Sequence, residues 1–254
     1  MSIQFVSPEQ AILIINTHHT AYIEGMNTKN RKIRNFSGVY DFITHVTEWN
    51  TEQQEIVKKA LSEHKVKFID NTWKFILVDD SIENGLPHTI HDCIVLSLRT
   101  LNSPNLLSTL YHEKIHTLQK IYPNIFHNLY KSWGWKKLDY VPPLLSENHR
   151  VNPDTPDWWF LSKGGFDYIP VVFIKKGATN VTDVDYLFAV YQGSTLTSFE
   201  KMNRVNWFTD TYKCHCNQCY HPDEITAHLL AQRLYYGEYN KCIESFVKLI
   251  TNVI

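Results

Sequence analysis

His112-Glu113-Lys114-Ile115-His116 places two imidazoles four residues apart with a carboxylate between them. On a helix, such residues lie nearly above one another, so both rings can grip one metal ion while Glu113 stays beside the ion's open position. The expected ion is Zn2+, which takes nitrogen ligands of this kind and lowers the pKa of bound water to about 7. Glu113 is then the expected general base: it takes the water's proton and returns it to a departing amine. The pentad alone is short, and the chain has 13 histidines, so the surrounding sequence has to support it.

A catalytic zinc site needs a third protein ligand and one place left for water. His221-Pro222-Asp223-Glu224 reads as a helix start, with proline in the first turn and carboxylates at the positive end of the helix dipole. Glu224, Ala227, His228 and Ala231 share one face of that helix. The two alanines leave room for close packing against the first helix, so Glu224 is the expected third ligand. His228, one turn further on, is the rival ligand and otherwise a residue that orients the ligating carboxylate. A donor for the developing oxyanion is also required; Tyr191, Tyr220, His221 and His228 all remain open.

A pentad followed by a glutamate ligand on a later helix resembles the gluzincin group of zinc metallopeptidases. The resemblance covers the active-site helix, the strand before it and the Glu224 helix. It implies a zincin-like α+β fold, a mixed sheet packed on the active-site helix, and hydrolysis of a peptide or protein substrate. It also implies a strand running beside the substrate just before that helix. Cys93-Ile-Val-Leu-Ser-Leu-Arg99 suits this place, either as the sheet edge to which a peptide adds or as an interior strand without ligand contact. The 108 residues from His116 to Glu224 are more than the gluzincin pattern has, so an inserted segment must return to the metal.

The elements that position these residues can be read coarsely. Ser103-Pro104 is the expected start of the active-site helix, which runs to about Lys120 with Leu107, Tyr111, Ile115 and Leu118 as its apolar stripe. Before it, a strand is expected near residues 10–15, then a helix from the Thr51-Glu-Gln-Gln54 capping box to about His64, then strands at Lys74–Val78 and Cys93–Arg99. After it come a helix from about Asn124 to Trp133 ended by Gly134, and a long loop between Leu138 and Pro156. Strands at Tyr168–Lys175 and Asp185–Tyr191, the Glu224 helix and a final helix from about Glu238 complete the chain. The whole is expected to be a single compact domain, with a mainly helical part over about 1–70 and the catalytic part over about 71–254. The long loop is read as pinned to the core by Trp158 and Trp159; the other reading lines a peptide cleft with Arg150, Asn152 and those tryptophans.

A second group competes for metal. Cys214-His215-Cys216-Asn217-Gln218-Cys219-Tyr220-His221 has three thiols and two imidazoles within eight residues, enough for a closed structural zinc site. Such modules commonly take ligands from two separated segments, and no second C-x-x-C is present, so these are read as loop cysteines, with a disulfide between two of them as a further possibility. A formal charge of −1 favours neither nucleic acid nor an acidic membrane surface. No apolar run approaches a membrane span, no signal peptide is recognised, and the five cysteines are an odd number. A cytoplasmic protein is expected. The alternatives to a peptidase are a non-catalytic zinc-stabilised binding or structural protein and a zinc hydrolase of a non-peptide amide.

Overall fold

A computed structural model describes residues 1–62, 66–213 and 219–251. The fold is mixed α and β, with two five-stranded sheets among the described residues. The first sheet contains β1 (Ser2–Phe5), β2 (Val46–Thr47), β3 (Thr72–Val78), β4 (His88–Ile90) and β5 (Cys93–Ser97). Its order is β1-β3-β5-β4, with β2 pairing further along β3. β1 and β5 run parallel to β3, whereas β4 is antiparallel to β5. The second sheet is antiparallel throughout: β6 (Trp135–Lys137), β7 (Trp159–Lys163), β8 (Phe166–Ile174), β9 (Val184–Gln192) and β10 (Thr195–Lys201) lie in sequence order.

The helices are α1 (Pro8–His18), α2 (Thr20–Glu24), α3 (Thr28–Arg34), α4 (Val39–Thr44), α5 (Thr51–Ser62), α6 (Leu98–Leu101), α7 (Leu106–Ile121), α8 (Pro123–Ser132), α9 (Pro143–Asn148), α10 (Asn206–Tyr212), α11 (Pro222–Tyr236) and α12 (Glu244–Ile250). Residues 10–15, expected as a strand, belong to α1. Ser7 and Gln10 form a reciprocal capping box there, and Ala11 and Ile15 bury one helical face. The first strand is instead Ser2–Phe5. α7 begins at Leu106, so Ser103 and Pro104 form a turn outside it. The last helix starts at Glu244, six residues later than expected.

β3 and β5 are apolar on both faces because both faces are covered. Ile76, Val78, Cys93 and Val95 pack with Ala11, Ile15 and Phe42 of the N-terminal helices. Phe75, Leu77, Ile94 and Leu96 belong to the main core, which also holds Ile115 of α7, Ile225 and Leu230 of α11, and Val172 and Phe188 of the second sheet. α7 is therefore enclosed on nearly every side. Two lysines tie it to the first sheet: Lys114 donates to the Thr72 carbonyl at 2.7 Å, and Lys120 to the Thr89 carbonyl at 2.7 Å.

Candidate metal centre

α7 and α11 pack against each other. His112 and His116 come from the first helix and Glu224 from the first turn of the second. Glu224 Oε2 lies 3.3 Å from His112 Nε2 and 3.6 Å from His116 Nε2, and the two nitrogens are 3.0 Å apart. Among the described residues this group could hold a metal ion. The structure thus gathers the two predicted helical ligands and the predicted third one, across 108 residues of chain. His228 lies outside the triangle but lines the same cavity, which has a volume of about 730 Å³.

The partners around the triangle orient each donor. His116 Nδ1 is 2.6 Å from Gln119 Oε1; because that oxygen can only accept, Nδ1 carries the proton and Nε2 faces Glu224 and His112. Gln119 in turn donates to Tyr130 Oη at 3.0 Å and to the Asp223 carbonyl at 2.9 Å, and Tyr130 donates to Asp223 Oδ1 at 2.6 Å. Glu224 Oε1 accepts from Asn152 Nδ2 at 2.8 Å, leaving Oε2 for the histidines. Gln119 was legible in principle, since it lies three residues after His116 on the same helical face. Asn152 sits in the long loop, where no spacing rule points to it.

Charges at the site balance in pairs. Buried Asp154 accepts from Lys120 at 2.9 Å and from the Thr89 backbone N–H at 3.1 Å; despite burial, Lys120 and His116 hold its carboxyl down at about 2. Burial alone lowers the His116 pKa, but Asp154 and Glu224 outweigh it and push His116 up to about 10. Burial opposes ionisation of Glu224 as well, and His116 and His112 hold it well below the ordinary carboxylate range. Glu113 is buried, and its Oε2 has no hydrogen-bond partner. Burial, with Asp154 and Glu224 nearby, raises its pKa well above the usual range, against the pull of His116 and Lys120.

Other sequence expectations meet mixed outcomes. Tyr220 and His228 line the cavity, whereas Tyr191 and His221 are not among its lining residues. His221 instead caps α11: its Nδ1 accepts from the Asp223 N–H at 3.3 Å, and its Nε2 donates to the Asp157 carbonyl at 2.8 Å. Arg150 and Asn152 line the cavity; Trp159 is buried in the main core, and Trp158 packs with the outer face of the second sheet. Cys214, His215 and Cys216 lie outside the described residues, and Cys219 is buried and disulfide-bonded.

Cys93–Ser97 is an interior strand, and the sheet edge is β4. His88 of this edge and the preceding Leu86 and Pro87 line the cavity. The Thr89 N–H and C=O bond to Asp154 and Lys120, and Pro87 has no N–H to offer. That stretch gives an incoming strand little to pair with. Comparison with known proteins finds no matching family model, no matching curated protein and no matching solved structure. Among the described residues no helix is long and apolar enough to cross a membrane.

Proposed function

We propose that this chain is a zinc-dependent metallopeptidase of the gluzincin kind, with a zincin-like version of the α+β architecture. The observation that carries the reading is the His112–His116–Glu224 triangle, with the unpaired Glu113 carboxylate at the same cavity. Two imidazoles and one carboxylate are a donor set suited to zinc and poor for calcium or magnesium, which take oxygen ligands. Tetrahedral zinc with bonds of about 2.0–2.2 Å sets neighbouring donors roughly 3.3 Å apart, and the triangle's edges of 3.0, 3.3 and 3.6 Å bracket that value.

Zinc, when bound here, polarises the substrate carbonyl and acidifies water. Glu113 would take a proton from water at the cavity and pass it to the leaving amine, a role suited to a carboxylate whose pKa burial raises. Asn152 holds Glu224, and Gln119 holds His116, so neither has to reorganise on loading. Of the candidate oxyanion donors, Tyr220 and His228 are the two that line the cavity.

The test is metal content by mass spectrometry together with peptide cleavage, for wild type, His112→Ala and Glu113→Gln. Expected are about one zinc per chain in wild type and in Glu113→Gln, loss of zinc in His112→Ala, and a fall in turnover of at least about 10²-fold in Glu113→Gln. Undiminished turnover in Glu113→Gln would remove Glu113 as the general base, and zinc-loaded wild type without turnover would leave a zinc-stabilised binding protein.

A further inference from the structure

Arg150 is about nine-tenths buried at the wall of the metal cavity. Its Nε has no hydrogen-bond partner, and its two other contacts are long, 3.3 Å from Nη1 to the Val181 carbonyl and 3.4 Å from Nη2 to Tyr220 Oη. Among the described residues no carboxylate pairs with it. The other buried cations at this cavity are matched: Arg34 donates to Glu83 at 2.9 Å, and Lys120 to Asp154 at 2.9 Å. Arg150 is therefore left as a buried cation without a carboxylate partner. A buried guanidinium with a free N–H needs an anionic partner, and a carboxylate fits its planar fork.

The position of that partner can be bounded. Arg150 Nη2 is 3.4 Å from Tyr220 Oη, which is 2.7 Å from Asn152 Nδ2, which is 2.8 Å from Glu224 Oε1. Laid end to end, these contacts keep the guanidinium within about 9 Å of the ligating carboxylate, the span of roughly two to three extended residues. The β4 edge offers little backbone pairing, so a charge contact is the stronger anchor the cavity provides.

We propose that Arg150 is the substrate-anchoring residue, and that the substrates are peptides carrying a carboxylate within about two residues of the scissile bond. The carboxylate is either a free C-terminus or an Asp or Glu side chain. The inference rests on the hydrolase reading of the site, but binding tests it separately.

The experiment uses the zinc-loaded Glu113→Gln protein and titration calorimetry with four probes. Ac-Ala-Phe-Ala as the free acid is compared with its amide, and Ac-Ala-Glu-Ala amide with Ac-Ala-Gln-Ala amide. One acid is expected to bind at least about tenfold tighter than its neutral counterpart, and which pair shows this identifies the source of the carboxylate. Adding Arg150→Gln should abolish the preference, whereas Arg150→Lys should retain part of it. Equal binding within both pairs, no binding by either acid, or a preference that survives Arg150→Gln would overturn the proposal. The probe series is read on native Arg150, so misfolding of the variants cannot mask the answer. Acid-selective binding without any turnover in the Glu113 protein would sink the peptidase reading and leave Arg150 as an anion site.

Discussion

Gln119 touches no metal in the proposed site, yet its replacement should loosen one. In Gln119→Leu the buried shape is nearly kept, but the acceptor for His116 Nδ1 and the donor to the Asp223 carbonyl disappear. Tyr130 keeps its 2.6 Å bond to Asp223 Oδ1, so two buried groups lose their partner. At about 1–3 kcal/mol for each, the metal-free protein should lose roughly 2–6 kcal/mol of stability in urea titrations with EDTA. Zinc affinity, measured by competition with a fluorescent chelator, should fall about 10–100-fold, because the His116 ring loses the bond that fixes its tautomer. That fold-change corresponds to about 1.4–2.7 kcal/mol. Gln119→Glu separates the two effects: it keeps an acceptor for Nδ1 and should hold zinc within about threefold of wild type. It gives up the bond to the Asp223 carbonyl and should therefore lose stability. Wild-type zinc affinity in Gln119→Leu would refute the claim that this side chain presents His116 to the metal.

Other outcomes follow from the same structure. Glu224→Ala should weaken zinc binding on the order of a hundredfold or more, measured by the same competition titration, since one of three donors is lost. His149 is buried with its Nδ1 accepting from the Val172 N–H at 3.2 Å; burial, with Arg150 nearby, pulls its pKa down from 6.5 to about 3. The unfolded chain therefore binds a proton that the folded one refuses. Stability should fall as pH drops from about 6.5 towards 3, by on the order of 4 kcal/mol, and His149→Gln should flatten that limb in urea melts across pH. Asp154, held at about 2 against an ordinary 3.8, adds a further loss between those two values. Ala227 is fully buried in the core that α7 and α11 share; Ala227→Leu should cost about 1–3 kcal/mol by thermal melt and reduce zinc affinity by spreading the two helices.

The triangle was legible because its ligands obey local rules. His112 and His116 are fixed by helical spacing, and Glu224 by a helix start marked with proline and acids. The strands of the second sheet showed themselves through apolar runs separated by turn residues, and Phe166–Ile174 and Val184–Gln192 pair much as the runs suggested. What the sequence hid depends on long-range pairing. Ala11-Ile-Leu-Ile-Ile15 is β-branched enough to pass for a strand, and the cap at Ser7 and burial of one helical face decide otherwise. Cys93–Ser97 carries no mark to say whether a neighbour covers its second edge, and the three-residue β4 does so. Asn152 and Arg150 reach the cavity only because the 138–156 segment folds back over α7, which no periodicity in the segment encodes.

The placement of the second sheet has a consequence for the chain while it is being made. Trp135–Lys201 lies between the two histidines and Glu224. At synthesis rates of about 5–20 residues per second, the 108 residues separating His116 from Glu224 impose a delay of roughly 5–20 s. During that time the emerging polypeptide carries His112, Glu113 and His116 but not Glu224. Order of synthesis thus sets the earliest moment at which the triangle can close, after the whole of the second sheet has been made.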